Sequence, residues 1–133
     1  LAGGKPLSED MPGSEAYPEE FEVLPQDYHI IKPRFSAFFQ TGLDMLLRRL
    51  GVDTVVLAGT TTPNCIRSTF YDAVSLDYNA LVISDCTSSV TEDIQRANLL
   101  DMANIGGHIM SLDEFTAGRE YENSLEKLRR LFL

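Results

Sequence analysis

Cys65 closes the segment Gly59-Thr-Thr-Thr-Pro-Asn-Cys65, which joins an apolar stretch, Thr54-Val-Val-Leu-Ala58, to a run with helical spacing. A cysteine in the first turn of a helix faces unpaired backbone N–H groups and the positive end of the helix dipole, both of which favour a thiolate. The same place suits a small buried residue at a tight helix start, and position alone leaves both readings open. Lys32 lies 33 positions earlier, at the end of a predicted neighbouring strand. One strand–helix–strand crossover would put the two at the same sheet edge, where an ammonium beside the sulfur stabilises negative charge on it. Alone, Lys32 reads as an ordinary solvated lysine; the pair carries more than either member.

The remaining chemistry-bearing residues are weaker candidates. Cys86 follows a predicted strand and reads as a packed residue. Asp85, at the same sheet edge, reads as an acid or base, or more commonly as an acceptor for loop amides. His29 and His108 fall on separate predicted strands and read as structural, so no metal centre and no cofactor is expected. The glycines match neither a phosphate loop nor a dinucleotide fingerprint. A cysteine phosphatase would need arginine six positions after its cysteine, and that position is Tyr71.

The elements that must hold these residues alternate. Residues 1–26 are rich in Pro, Gly, Ser and Glu, show no period, and read as an irregular lead-in with Phe21, Val23 and Leu24 as anchors. A strand is predicted over 28–31, stopped by Pro33. A helix over 41–50 aligns Leu43, Leu46, Leu47 and Leu50, with Arg48 and Arg49 at its end. The apolar strand 54–58 has the character of one buried on both faces. A helix over 64–77 turns Ile66, Phe70, Ala73 and Val74 inward, and 80–84 is a second buried strand. After a loop at 85–88, Ser89 and Glu92 form a candidate capping box opening a helix to 104. Gly106-Gly107 ends it before a strand at 108–110. Leu125, Leu128 and Phe132 mark an amphipathic helix over 120–133, which suits either its own sheet or a subunit interface. The pattern predicts one α/β domain over 1–133 with a parallel sheet. In such a sheet ligands bind beyond the carboxyl ends of the strands, here 32–37, 59–65 and 85–88.

With 44% hydrophobic and 23% charged residues among 133, the composition is that of one ordinary globular domain. Twenty acidic against eleven basic side chains give a formal charge of −9, the wrong sign for nucleic acid or an anionic membrane surface. No apolar run approaches the roughly 20 residues of a membrane span, and no signal peptide opens the chain. Two cysteines 21 residues apart match neither a disulfide framework nor a zinc site, which points to a reducing, cytoplasmic compartment. The chain opens with Leu1 rather than Met.

Three segments together resemble one family. Lys-Pro-Arg-Phe-Ser-Ala-Phe-Phe-Gln-Thr (32–41), Val-Val-Leu-Ala-Gly-Thr-Thr-Thr-Pro-Asn-Cys-Ile-Arg-Ser-Thr-Phe-Tyr-Asp-Ala (55–73) and Ile-Ser-Asp-Cys-Thr-Ser-Ser (83–89) resemble the isochorismatase-like cysteine hydrolases. The resemblance covers about residues 22–115. It implies a three-layer α/β/α fold and hydrolysis of amide-like C–N bonds by a Cys–Asp–Lys triad. Cys65 falls on the nucleophile and Lys32 on the lysine. The family's non-proline cis peptide would be Thr60–Thr61, with the Thr61 and Cys65 N–H groups as the oxyanion hole. The family's aspartate ends an earlier strand that nothing in 1–31 matches; neither Asp10 nor Asp27 can be carried over. The expectation is therefore a C-terminal portion of a family member, without its first strand–helix–strand unit and inert alone.

The cysteine argues against the branch that hydrolyses isochorismate. The absence of histidine from 1–28 weakens a nicotinamidase with its metal site. Small amides, ureides or N-carbamoyl compounds remain as substrates, with Phe35, Phe38, Phe39 and Asn64 as candidate pocket residues. A redox thiol protein using Cys65 and a non-catalytic subunit are the readings from other classes. Homodimers or homotetramers are what the resemblance implies for assembly.

Overall fold

A computed structural model of the chain describes Tyr17, Glu20 and residues 22–118. Most of the lead-in, including Phe21 and Asp10, and the expected helix over 120–133 lie outside the described residues.

Three parallel strands form the sheet: β1 (Thr54–Thr60), β2 (Asn79–Ser88) and β3 (His108–Met110), in the order β1-β2-β3. Helix α1 (Leu43–Arg49) precedes β1, and α2 (Arg67–Ser75) links β1 to β2. Helix α3 (Glu92–Asn104) links β2 to β3, and a short α4 (Leu112–Thr116) follows. The α/β class with a parallel sheet is thus as the alternation predicts.

The period of two in β2 builds the core. Ala80 and Val82 face α2 and α3, where they join Ile66, Phe70, Ala73, Tyr78, Leu99, Met102, Ala103 and Ile109. Leu81 and Ile83 point to the opposite face and meet Met110, with Cys86 at the margin. Strand β2 is therefore buried on both faces, as its continuous apolar run predicts. Phe70, fully buried, sits where the chain passes closest: a Cβ on Gly107 would stand 2.6 Å from its ring and 2.7 Å from the Met102 carbonyl oxygen. Only glycine fits there. Replacing Phe70 with alanine is expected to cost about 3–5 kcal/mol, read as a fall in the urea midpoint at unchanged slope.

Helix α1 is held by a small polar cluster. Arg48 pairs with Asp44 at 3.3 Å, lies 4.3 Å from the Tyr78 ring centre and donates to the Leu76 carbonyl. Tyr78 in turn donates to Asp44 at 2.8 Å.

Several sequence expectations need correction. Residues 28–31 form no strand: Tyr28 and Ile31 are exposed and no neighbouring strand supplies a ladder among the described residues. Strand β1 is not buried on both faces. Val56 is 44% exposed, and Ala58 and Thr60, on the same face by the period of two, are exposed with it, so that face of β1 is not covered among the described residues. Strand β2 runs on through 85–88, which was expected as loop. After an irregularity between Leu57 and Gly59, β1 pairs again at Gly59–Thr87 and Thr60–Ser88. The cap of α3 is Thr91, whose hydroxyl accepts the Ile94 N–H; Ser89 is not the cap, and its Oγ is buried without a hydrogen-bond partner. A true capping box stands at Ser111 and Glu114 and opens α4, a helix beyond those that the sequence pattern predicts. Finally, the expected helix over 64–77 begins as a π-helical turn, Thr62–Ile66, and becomes α-helical only at Arg67.

Candidate active site

The π-helical turn puts Cys65 just beyond the carboxyl end of β1. The turn is pinned at several points. The Thr61 carbonyl accepts the Asn64 N–H at 3.1 Å and the Ile66 N–H at 3.4 Å. The Asn64 side chain donates to the Thr61 hydroxyl at 3.0 Å. Thr62, fully buried, donates to the Ser88 carbonyl at 3.1 Å, fastening the turn to the end of β2. The peptide bond between Thr60 and Thr61 is cis.

Lys32 reaches this turn from the irregular segment before α1. Its Nζ lies 3.4 Å from Cys65 Sγ and donates also to the Arg34 and Phe35 carbonyls, at 3.1 and 3.3 Å. The pairing of Lys32 with Cys65 is therefore present, although no strand carries the lysine. Among the described residues no carboxylate lies within ion-pairing distance of Lys32.

The helix behind Cys65 is locked to α3. Arg67 pairs with Asp101 at 2.6 Å and donates to buried Asn98 at 2.9 Å, while Tyr71 donates to the same Asp101 oxygen at 2.8 Å. That hydrogen bond to a carboxylate, with burial adding to it, raises the Tyr71 phenol above its usual value near 10.

Other candidates fall elsewhere. Phe38 stacks on Tyr78 at 5.8 Å and packs on the core. It lines a groove of about 320 Å³ with Leu43, Leu47, Val55 and Leu57, whose lining includes neither Cys65 nor Lys32. In this structure Phe38 is thus packed on the core. Phe35 and Phe39 are exposed. Asp85 accepts the Leu112 N–H at 2.8 Å, the commoner of its two expected uses, and thereby serves α4. His29 accepts from or donates to the Tyr17 hydroxyl at 3.0 Å, and His108 opens β3. Among the described residues no three His, Cys, Asp or Glu side chains are grouped to hold a metal, and no helix is long and apolar enough to cross a membrane.

The isochorismatase domain model matches residues 4–114. The chain belongs to the isochorismatase family. A "probable inactive nicotinamidase" of Arabidopsis thaliana is 53% identical over 91 residues, covering 68% of this chain and 46% of that protein. A ureidoacrylate amidohydrolase of Pantoea ananatis is 35% identical over 98 residues, covering 73% and 39%. The chain thus spans less than half the length of these curated relatives. Among solved structures, an isochorismatase family protein from Desulfovibrio vulgaris superposes with a TM-score of 0.75 at 39% identity, over 82% of this chain and 57% of its own. An N-carbamoylsarcosine amidase from Thermoplasma acidophilum gives 0.67 at 30% identity, over 77% and 57%. The isochorismatase-like fold and hydrolase family, with amidohydrolases among the relatives, follow from these matches.

Proposed function

We propose that the protein carrying this chain hydrolyses small amides, ureides or N-carbamoyl compounds through a thioester on Cys65. The observation that carries the reading is the 3.4 Å contact between Lys32 Nζ and Cys65 Sγ at the carboxyl end of β1, in a chain related to a ureidoacrylate amidohydrolase and an N-carbamoylsarcosine amidase. An ammonium donating to the sulfur stabilises the thiolate that must attack.

In the proposed reaction the thiolate adds to the carbonyl carbon. The Thr61 and Cys65 N–H groups hold the resulting oxyanion. An acid protonates the leaving nitrogen as the C–N bond breaks, giving the thioester. The same group, now a base, takes a proton from water as water attacks, and the C–S bond breaks to restore the thiolate. A simple amide releases ammonia directly; an N-carbamoyl compound releases its amine, then ammonia and carbon dioxide from carbamic acid. The acid is assigned to an aspartate of the whole protein that neither Asp10 nor Asp27 supplies; among the described residues β1 pairs with β2 alone, and its other edge can take a further strand. Phe35, exposed beside Lys32, is the aromatic candidate for contact with substrate.

Screening primary amides, ureides and N-carbamoyl amino acids for ammonia release tests this proposal. Turnover that iodoacetamide abolishes in step with labelling of Cys65 supports it; turnover by a fully labelled protein contradicts it. A second reading, a non-catalytic protein, is favoured by the 53% identity to a relative named a "probable inactive nicotinamidase". It predicts no turnover of any of these compounds.

A further inference from the structure

The loop that carries Lys32 and the helix that follows Cys65 are joined by one side-chain hydrogen bond, beside the apolar packing of Phe38 on the core. Thr69, four residues beyond Cys65 in α2, is 7% exposed, and its hydroxyl accepts the Ala37 N–H at 3.0 Å. Lys32 is folded back on the same loop by its bonds to the Arg34 and Phe35 carbonyls. An ammonium has three N–H donors, and the third is directed at Cys65 Sγ. The contacts close a ring that runs from Cys65 along α2 to Thr69, across to Ala37, back through the loop to Lys32, and onto the sulfur. Helix α2 is itself clamped to α3 through Arg67, Asn98 and Asp101. When the ring opens at Thr69, the loop and not the helix is therefore the part that moves. Ser36, also buried, spends its hydroxyl on the Phe38 N–H of the same loop and gives no second tie to α2.

We propose that Thr69 is a positioning residue: its hydroxyl anchors the 32–38 loop to α2 and thereby sets the Lys32–Cys65 distance. It touches neither reacting atom. The proposal rests on the reading of Lys32 and Cys65 as the reacting pair for its catalytic meaning, though not for its geometry.

Two variants separate this role from simple packing. Thr69→Val keeps the shape and removes the acceptor, leaving the Ala37 N–H unpaired; Thr69→Ser keeps the acceptor. Iodoacetamide labelling of Cys65 at pH 7, resolved by peptide mass so that Cys86 is counted separately, gives the first readout. Thr69→Val is expected to slow labelling to the rate of Lys32→Met, about fivefold below wild type. Thr69→Ser is expected to label at the wild-type rate, and Thr69→Val added to Lys32→Met to slow it no further. Amide hydrogen exchange is the second readout, with faster exchange over 34–38 in Thr69→Val alone. A Thr69→Val protein that melts earlier yet labels at the wild-type rate would overturn the proposal, as would equal slowing in the Lys32→Met background. Should Lys32→Met itself label like wild type, the reading of the reacting pair fails, and exchange decides the anchor. Unchanged exchange over 34–38 overturns it; faster exchange that serine prevents sustains it.

Discussion

Replacing Cys65 with serine is expected to reduce ammonia release by a factor on the order of 10⁴ to 10⁶, the scale on which covalent hydrolases lose activity when a triad fails. The hydroxyl of serine fits the π-helical turn, because the turn is held by Thr61, Thr62, Asn64 and Ser88 and not by the sulfur. Folding is therefore expected to be unchanged, with the loss confined to chemistry. Among the described residues, a serine at this position has Lys32 beside it, which donates a hydrogen bond and takes no proton while charged. The check is ammonia release with circular dichroism and the melting temperature as controls. A serine protein retaining a tenth or more of the wild-type rate would mean that another group attacks the substrate.

Replacing Lys32 with methionine is expected to cost about 10- to 10³-fold in kcat/KM, the span that charge stabilisation at this distance supplies. The electrostatic part is bounded by distance. Unit charges 4 Å apart interact by about 1 kcal/mol in a water-like dielectric and about 4 kcal/mol at an effective dielectric of 20. Lys32 is exposed and Cys65 half-buried, so the lower end applies before substrate binds and excludes water. Methionine preserves most of the aliphatic length and removes the three donors, which also frees the Arg34 and Phe35 carbonyls. Iodoacetamide labelling of Cys65 is expected to slow about fivefold, the equivalent of the lower electrostatic figure. A large loss of turnover with unchanged labelling would assign Lys32 to substrate or to the loop rather than to the sulfur.

The parts of this architecture legible in the sequence are those governed by local pattern. The run Ala80-Leu-Val-Ile83 has no polar break, and β2 is buried on both faces. The spacing of Ile66, Phe70 and Ala73 marks the inner side of the π-helical turn and α2, and all three are buried. What was missed depends on partners distant in the chain. Whether 28–31 is a strand depends on a neighbouring strand, and none pairs with it among the described residues. The extension of β2 to Ser88 requires β1 to re-enter register after Leu57, which no local pattern encodes. Two serines carried the same capping signature, but Thr91 stands directly before α3 and displaced Ser89. Ser111 and Glu114 open a helix of only five residues, too short for a helical period to mark it in the sequence. Within the site, Cys65 was marked by a strand–loop–helix pattern and the family resemblance. The bond from Ala37 to Thr69 spans 32 positions and leaves no trace in either segment alone.

The π-helical turn gives these elements a common reference. It is tied to β2 through Thr62, is continuous with α2, and through α2 is braced on α3 by Arg67. Cys65 is thus carried by the part braced on β2 and α3, and Lys32 by a loop held to it by the Thr69 hydroxyl and by Phe38 packed on the core.

The central claim is that Cys65 forms a covalent thioester. The most direct measurement is a rapid acid quench of the protein mixed with a small ureide, followed by peptide-resolved mass analysis of the tryptic fragment 50–67. An added carbamoyl group on Cys65, formed at least as fast as ammonia appears and absent from the Cys65→Ser protein, is the predicted result. Ammonia release at full rate with Cys65 unmodified at every quench time would contradict the account.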